Sequence, residues 1–292
     1  MNDPSRIKPR KSLLTANIAT FALLLIFVLV MYAIDKFIHP TFSHAGLLVS
    51  CIIIAIIPAI IWLGFYYRQD HLEPEPKGMV FQVFILGGLL AAAVGIPLIN
   101  FQFHPISWMY QNIWVTILGS ILVIGFTQEF LKYAAIRYSV FSSQEFDEPI
   151  DGIIYATSAG LGFATMLNIT FVLDTNGVNL GVGSIRIVLT VLAQASFAGL
   201  TGYFLGKEKL SGWSPWMTLG GVSIAAILNG LFFYFHGLLN QPVINFEGGT
   251  INPWFGLILA ALLSVGVTGI LSWLIHKDQT TKSEIQEASY VN

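Results

Sequence analysis

Few residues of this chain can do acid–base or ligand chemistry, and most of them stand inside apolar runs. Glu129 and Lys132 lie three apart in Thr127-Gln128-Glu129-Phe130-Leu131-Lys132, so on a helix they share a face and can pair. An ionisable group at membrane depth is costly and marks a functional site by default. Pairing lowers the cost of both charges, so the same two residues also suit a buried pair that orients helices without chemistry. Both readings are open at this point. Asp151 opens another apolar run, where it suits the positive N-terminal end of a helix. Asn168, Gln194, Asn229 and Asn240 are uncharged, and hydrogen bonding between helices is their ordinary role. The polar stretch Arg68 to Lys77, RQDHLEPEPK, offers Asp70, His71, Glu73 and Glu75 as oxygen and nitrogen ligands for a hard cation. Their spacing is not specific, and we read the stretch as a solvated cytoplasmic turn whose Pro74 and Pro76 fix the approach into the next helix. Cys51 is the only cysteine, which excludes an intrachain disulfide or a Cys-cluster metal site and leaves a packing role.

The elements that must position these residues are set by hydropathy. Of 292 residues 55% are hydrophobic and 10% are charged, with a mean hydropathy of +0.72, whereas a soluble domain carries about 25% charged residues. A hydrocarbon core needs about 20 apolar helical residues to cross. Eight runs qualify, near Ala16 to Ile34, Ala45 to Tyr67, Met79 to Ile99, Trp114 to Tyr138, Pro149 to Leu173, Ile185 to Leu205, Trp216 to Leu239 and Pro253 to Ile275. Their ends carry aromatic residues expected at the headgroup boundary, among them Trp62, Trp108, Trp114, Trp213, Trp216, Trp254 and Trp273. The expected fold is therefore an all-α integral membrane bundle of about eight transmembrane helices.

With the N-terminus inside, the cytoplasmic segments collect Arg6, Lys8, Arg10, Lys11, Arg68, Lys77, Arg137, Lys207, Lys209, Lys277 and Lys282, while the outer side keeps Lys36 and Arg186. That asymmetry predicts both termini in the cytoplasm, as an even number of spans requires. The implied organisation is a cytoplasmic segment 1–15, a transmembrane helical domain 16–276 and a cytoplasmic tail 277–292, with both polar ends mobile. The first run is too long for a signal-peptide core and is expected to stay as a span. A net charge of −2 with no basic tract excludes nucleic acid as a partner. The lipid bilayer is the one partner that composition implies.

The segments TQEFLKYAAI, FDEPIDGIIYATSAGLGFATMLN, LAQASFAGLTGYFLGKEK and AAILNGLF, in that order, resemble the core of the PrsW family of intramembrane metalloproteases. The loop YRQDHLEPEP is similar to that family's acidic-proline loop, and the resemblance extends over roughly Tyr67 to Phe235. It implies a Glu-Glu-x-x-Lys motif, a Glu four residues after a Phe, and two His further on, the second followed four residues later by Asp. Such groups hold a divalent metal such as zinc, which lowers the pKa of a bound water while a carboxylate serves as general base.

Carried over position by position, the resemblance yields mostly departures. Gln128 replaces the first Glu, and Glu129 and Lys132 are kept. Leu167 stands at the Glu position after Phe163, beside the matching Asn168. Gln194 and Asn229 occupy the two His positions, and Phe233 the Asp position. An amide carries no charge and offers no imidazole lone pair, and Leu and Phe offer a cation nothing. One carboxylate is too few for zinc, which takes three protein ligands even at a catalytic site.

The expected function is that of a pseudoprotease that keeps the helical cavity and binds a membrane partner, such as a single-span protein, without cutting it; no metal or other cofactor is expected. The alternative is an active metallopeptidase with an atypical site, either through Glu129 or through His236, which lies seven residues beyond Asn229 and could join His104 near the outer surface. A third reading is a transporter or lipid-handling protein, with Gln128, Glu129, Lys132, Gln194 and Asn229 lining a hydrated cavity. The absence of a targeting signal suits a bacterial plasma membrane, the inner membrane.

Overall fold

A computed structural model describes residues 13–67, 75–240 and 254–291. Eight helical spans are long and apolar enough to cross a membrane: α1 (Ile18–Ile38), α2 (His44–Gly64), α3 (Lys77–Trp108), α4 (Ile113–Arg137), α5 (Pro149–Asp174), α6 (Leu180–Ser211), α7 (Pro215–Gly237) and α8 (Trp254–Ile275). Among the described residues all regular structure is helical. Lipid supplies no hydrogen-bond partners, so a spanning backbone must satisfy its N–H and C=O groups internally, and the helix does so within one segment. The eight apolar runs correspond to these spans one for one. The helix that contains α8 continues beyond the apolar run to Val291, so the polar tail expected to be mobile is helical through that residue.

The centre of the bundle is the antiparallel pair α5 and α6, which are buried along most of their length. Around it, α3 and α2 pack on α5, α8 and α1 pack on α6, and α7 lies against both α6 and α4. Trp62 falls on this inner side. Expected at the headgroup boundary, it is instead 2% exposed and packs edge-on against Phe21 of α1. A Trp near a span end is drawn to the interface only if its helix face looks outward, and this face of α2 looks inward.

Two close helix approaches set the positions of the polar residues. Gly202 of α6 faces Gly152 of α5, and a Cβ added at Gly202 would lie 2.1 Å from the Gly152 carbonyl oxygen. Gly125 of α4 meets α7 in the same way, since a Cβ there would lie 2.1 Å from the Ala226 carbonyl oxygen. Small residues let helix backbones touch, and in lipid such packing is a main source of helix association.

Three spans are not uniform helices, and α1 ends in a wide turn at Ile34–Ile38 while α3 has one near its end at Leu98–Phe103. In α3 the stretch Ala91–Gly95 and in α4 the stretch Ser120–Gly125 form wide turns, closed by hydrogen bonds from Ile96 N–H to Ala91 C=O and from Phe126 N–H to Ile121 C=O. Bonds of this i→i+5 type insert an extra residue into a helix and are frequent at functional sites. The second one ends three residues before Gln128.

Replacing Gly202 by Ala is expected to lower the unfolding free energy by about 1 to 3 kcal/mol through overpacking. At Gly266 of α8 an added Cβ meets nothing within 4 Å, so Gly266→Ala is expected to be neutral or stabilising by roughly 0.5 to 1 kcal/mol. Denaturation of the detergent-purified variants measures both, and equal effects at the two sites would contradict the close α5–α6 contact.

Candidate functional site

The polar residues of α4, α6 and α7 converge inside the bundle. Lys132 points its ammonium at Glu129 Oε1, 2.5 Å away, and donates to Gln194 Oε1 at 2.8 Å and to the Gln194 carbonyl oxygen at 3.5 Å. The rings of Phe163 and Phe197 lie on its flanks with centroids 5.9 and 6.0 Å from Nζ. Gln194 donates through Nε2 to Gln128 Oε1 at 2.8 Å. Asn229 donates through Nδ2 to the same Gln128 oxygen at 3.0 Å and to Glu129 Oε1 at 2.7 Å. Glu129 and Lys132 are both 0% exposed, so each charge depends on the other and on these amides. Glu129 Oε2 is buried and makes no hydrogen bond.

Helical spacing explains why one short segment contributes so much. Lys132 of α4 stands three residues after Glu129 and four after Gln128, so its side chain lies between theirs on one side of the helix. Gln194 lies on α6 and Asn229 on α7, the latter one residue before Gly230, where α7 touches the backbone of Ile121 in α4. The network therefore joins three helices beside the backbone contact of α4 with α7.

This donor set does not fit a divalent metal. Gln128 Oε1 already accepts two N–H groups, Gln194 Oε1 accepts the ammonium, and the remaining carboxylate oxygen of Glu129 belongs to a group already paired with a cation. A metal would need at least three ligands here and would be repelled by Lys132. Among the described residues, no three His, Cys, Asp or Glu side chains come together.

Residues 75–267 match a sequence family described as PrsW family intramembrane metalloprotease. The chain belongs to the PrsW family. A relative named Protease PrsW from Bacillus subtilis (strain 168) is 31% identical over 206 residues, 69% of this chain and 90% of that protein. Another of the same name from Geobacillus kaustophilus is 32% identical over 163 residues, 56% of this chain and 68% of that protein. A third, from Clostridioides difficile (strain 630), is 29% identical over 163 residues, covering 55% and 66%. No solved structure matches the chain.

The other positions taken from the PrsW resemblance do not hydrogen-bond to the network. Leu167 is half-buried, one turn beyond Phe163. Phe233 is 37% exposed, on the outside of α7. Asn168 is buried and donates to the Ile187 carbonyl of α6 at 3.1 Å, so it ties α5 to α6. Asp151 accepts from the backbone N–H groups of Asp147 and Glu148 at 3.0 and 2.5 Å and closes a capping box with Glu148 at the start of α5. His236 stacks on Phe232 with ring centroids 5.9 Å apart and lies against Gly256 of α8. His104 lies within α3, between the wide turn Leu98–Phe103 and the last helical turn Pro105–Trp108, with a left-handed backbone at φ 44°. Asp70, His71 and Glu73 lie outside the described residues, as does the side chain of Asn240.

Sequence reasoning missed Glu75. Placed by sequence in a solvated turn, it is 4% exposed, accepts a hydrogen bond from the Tyr155 hydroxyl and bonds the Asp151 side chain. Nearby, Lys209 of α6 donates to the Ser143 carbonyl at 2.5 Å and stands over the Phe146 ring, and Arg137 pairs with Glu208 at 2.7 Å. The signal for Glu75 was present only as its place immediately before Pro76 and α3; its partners are about 80 residues away, where no local pattern reaches.

Magnitudes separate the parts of the central network. An interhelical hydrogen bond in lipid contributes only about 0.6 kcal/mol on average, while stripping one partner from a buried ion pair costs about 3 to 5 kcal/mol. Lys132→Met is therefore expected to destabilise by about 3 to 5 kcal/mol, and Gln194→Leu by about 1 to 2 kcal/mol. The double variant Glu129→Gln/Lys132→Met should lose less than Lys132→Met alone, because no charge is orphaned. Chemical denaturation in detergent tests the ranking, and a double variant worse than the single would refute it.

Proposed function

We propose that this member of the PrsW family is a non-cleaving membrane protein that engages a transmembrane partner without hydrolysing it. The observation that carries the reading is the closure of Gln128, Gln194 and Asn229 onto the Glu129–Lys132 pair. Side chains at three positions where the family resemblance implies carboxylate or imidazole ligands instead satisfy one another. Metal-activated hydrolysis needs a polarising cation and a free general base, and the one carboxylate here is neutralised by an ammonium.

Gln128, Glu129, Lys132, Gln194 and Asn229 are, in this reading, the core that holds α4, α6 and α7 in the family's arrangement. Leu167 and Phe233 continue it as apolar surface, and Asn168 and Asp151 fix α5. The partner is a single-span membrane protein, whose helix suits the lipid-facing surface of a bundle, and the setting is a bacterial inner membrane with both termini in the cytoplasm.

A second reading, proteolysis through Glu129, is favoured by one observation: Glu129 Oε2 makes no hydrogen bond. It requires a water to be activated there by a carboxylate whose other oxygen already accepts from Lys132 and Asn229.

Elemental analysis of the purified protein distinguishes the two. The wild type is expected to hold zinc well below one atom per chain, while the combined variant Gln128→Glu, Leu167→Glu, Gln194→His, Asn229→His should gain it. Reconstituted with single-span proteins, the wild type should show energy transfer to a bound partner and no shortened product. Stoichiometric metal in the wild type, or cleavage that stops in Glu129→Gln, would overturn the proposal in favour of the second reading. For sidedness, a tag at the C-terminus should resist protease added outside intact cells; digestion there would reverse the orientation.

A further inference from the structure

Spans α2 and α3 both pack on α5 but hardly touch each other. The cleft left between them has a volume of about 370 Å³ and is lined by Ile60 and Gly64 on one wall and by Phe81 and Phe84 on the other. Its lining is apolar except at one end, where Lys77 opens α3. We propose that this cleft is a binding site for an anionic membrane phospholipid, with one acyl chain in the cleft and the phosphate at Lys77.

An acyl chain is narrow and flexible, and it can lie along the seam between two helices that share a floor. Phe81 is 59% exposed and Ile60 is 59% exposed, so the cleft opens sideways to the lipid and not to water.

Charge decides the headgroup. Lys77 is exposed at the end of the cleft, and cationic pockets between spans at the membrane surface take anionic headgroups. The start of α3 adds to it, because its first turn carries no acid and no side chain caps it, leaving the partial positive charge of the helix end toward a phosphate. Glu75, two residues earlier, is buried and accepts a hydrogen bond from Tyr155 of α5.

The bundle contains its own comparison. A second cleft of about 330 Å³, lined by Leu24 and Leu25 of α1, Val188 and Leu192 of α6 and Val265 of α8, is apolar throughout. It offers a chain the same kind of surface but no cation, so it has no basis for preferring one headgroup.

The test is native mass spectrometry of the full chain purified in detergent and equilibrated with equal amounts of phosphatidylglycerol and phosphatidylcholine. Wild-type protein is expected to retain phosphatidylglycerol in about five-fold preference, the effect of one lysine near the surface. Lys77→Gln should abolish the preference while keeping lipid bound. Gly64→Phe should remove one retained lipid; a Cβ at Gly64 meets nothing within 4 Å, so the fold admits it. Ile60→Trp, on the same wall, gives an independent block, and thermal midpoints confirm that each variant is folded. Equal retention of the two lipids by the wild type would overturn the proposal. So would unchanged lipid binding in both cleft-filling variants, or displacement of the lipid from the wild type by a single-span peptide.

Discussion

A carboxylate and an ammonium sealed from solvent, Glu129 and Lys132, constrain the interior of this bundle more than any apolar contact does. Apolar side chains exchange neighbours at little cost in lipid, where the surroundings are as oily as the core. A buried pair of charges has no such freedom, because each must keep its partner and find donors or acceptors for what the partner leaves over. Gln194 on α6 and Asn229 on α7 supply them. The requirement fixes the rotation of three helices about their axes, and the glycine contacts at Gly125 and Gly230 bring α4 and α7 near enough for it to be met.

On the proposed reading, the same constraint explains how family membership and a changed centre coexist. The close α5–α6 and α4–α7 packing and the Glu129–Lys132 pair concern how helices fit together, and they lie within residues 75–267, the part that matches the family. Substituting amides for charged or imidazole groups keeps side chains of similar size that can hydrogen-bond in place. Such substitutions leave the frame intact while altering what it can hold. Leu167 and Phe233 go further, because neither has any polar group to offer.

Much of the fold was legible in the sequence because the bilayer imposes a length and a polarity on every span. The pairing of Glu129 with Lys132 was legible from spacing, and the convergence of Gln128, Gln194 and Asn229 from the resemblance. Other features were hidden because they depend on which helix face meets which neighbour. Trp62 has the sequence context of an interfacial residue and the environment of a core one. Glu75 belongs by composition to a solvated loop and by contact to α5. The wide turns in α3 and α4 leave no mark in hydropathy, since an extra residue per turn does not change how apolar a segment is.

The wide turn at Ser120–Gly125 divides α4 into two parts whose faces are set separately. Each residue advances a helix by about 100°, so absorbing one extra residue rotates everything downstream by that angle relative to everything upstream. The upstream half is thereby free to show Trp114 and Leu118 to the lipid while the downstream half shows Gln128, Glu129 and Lys132 to α6 and α7. Mutational drift on the lipid side of one half is uncoupled from the polar register of the other. A span that would otherwise be a single rigid rod acts as two reading frames joined by a phase shift.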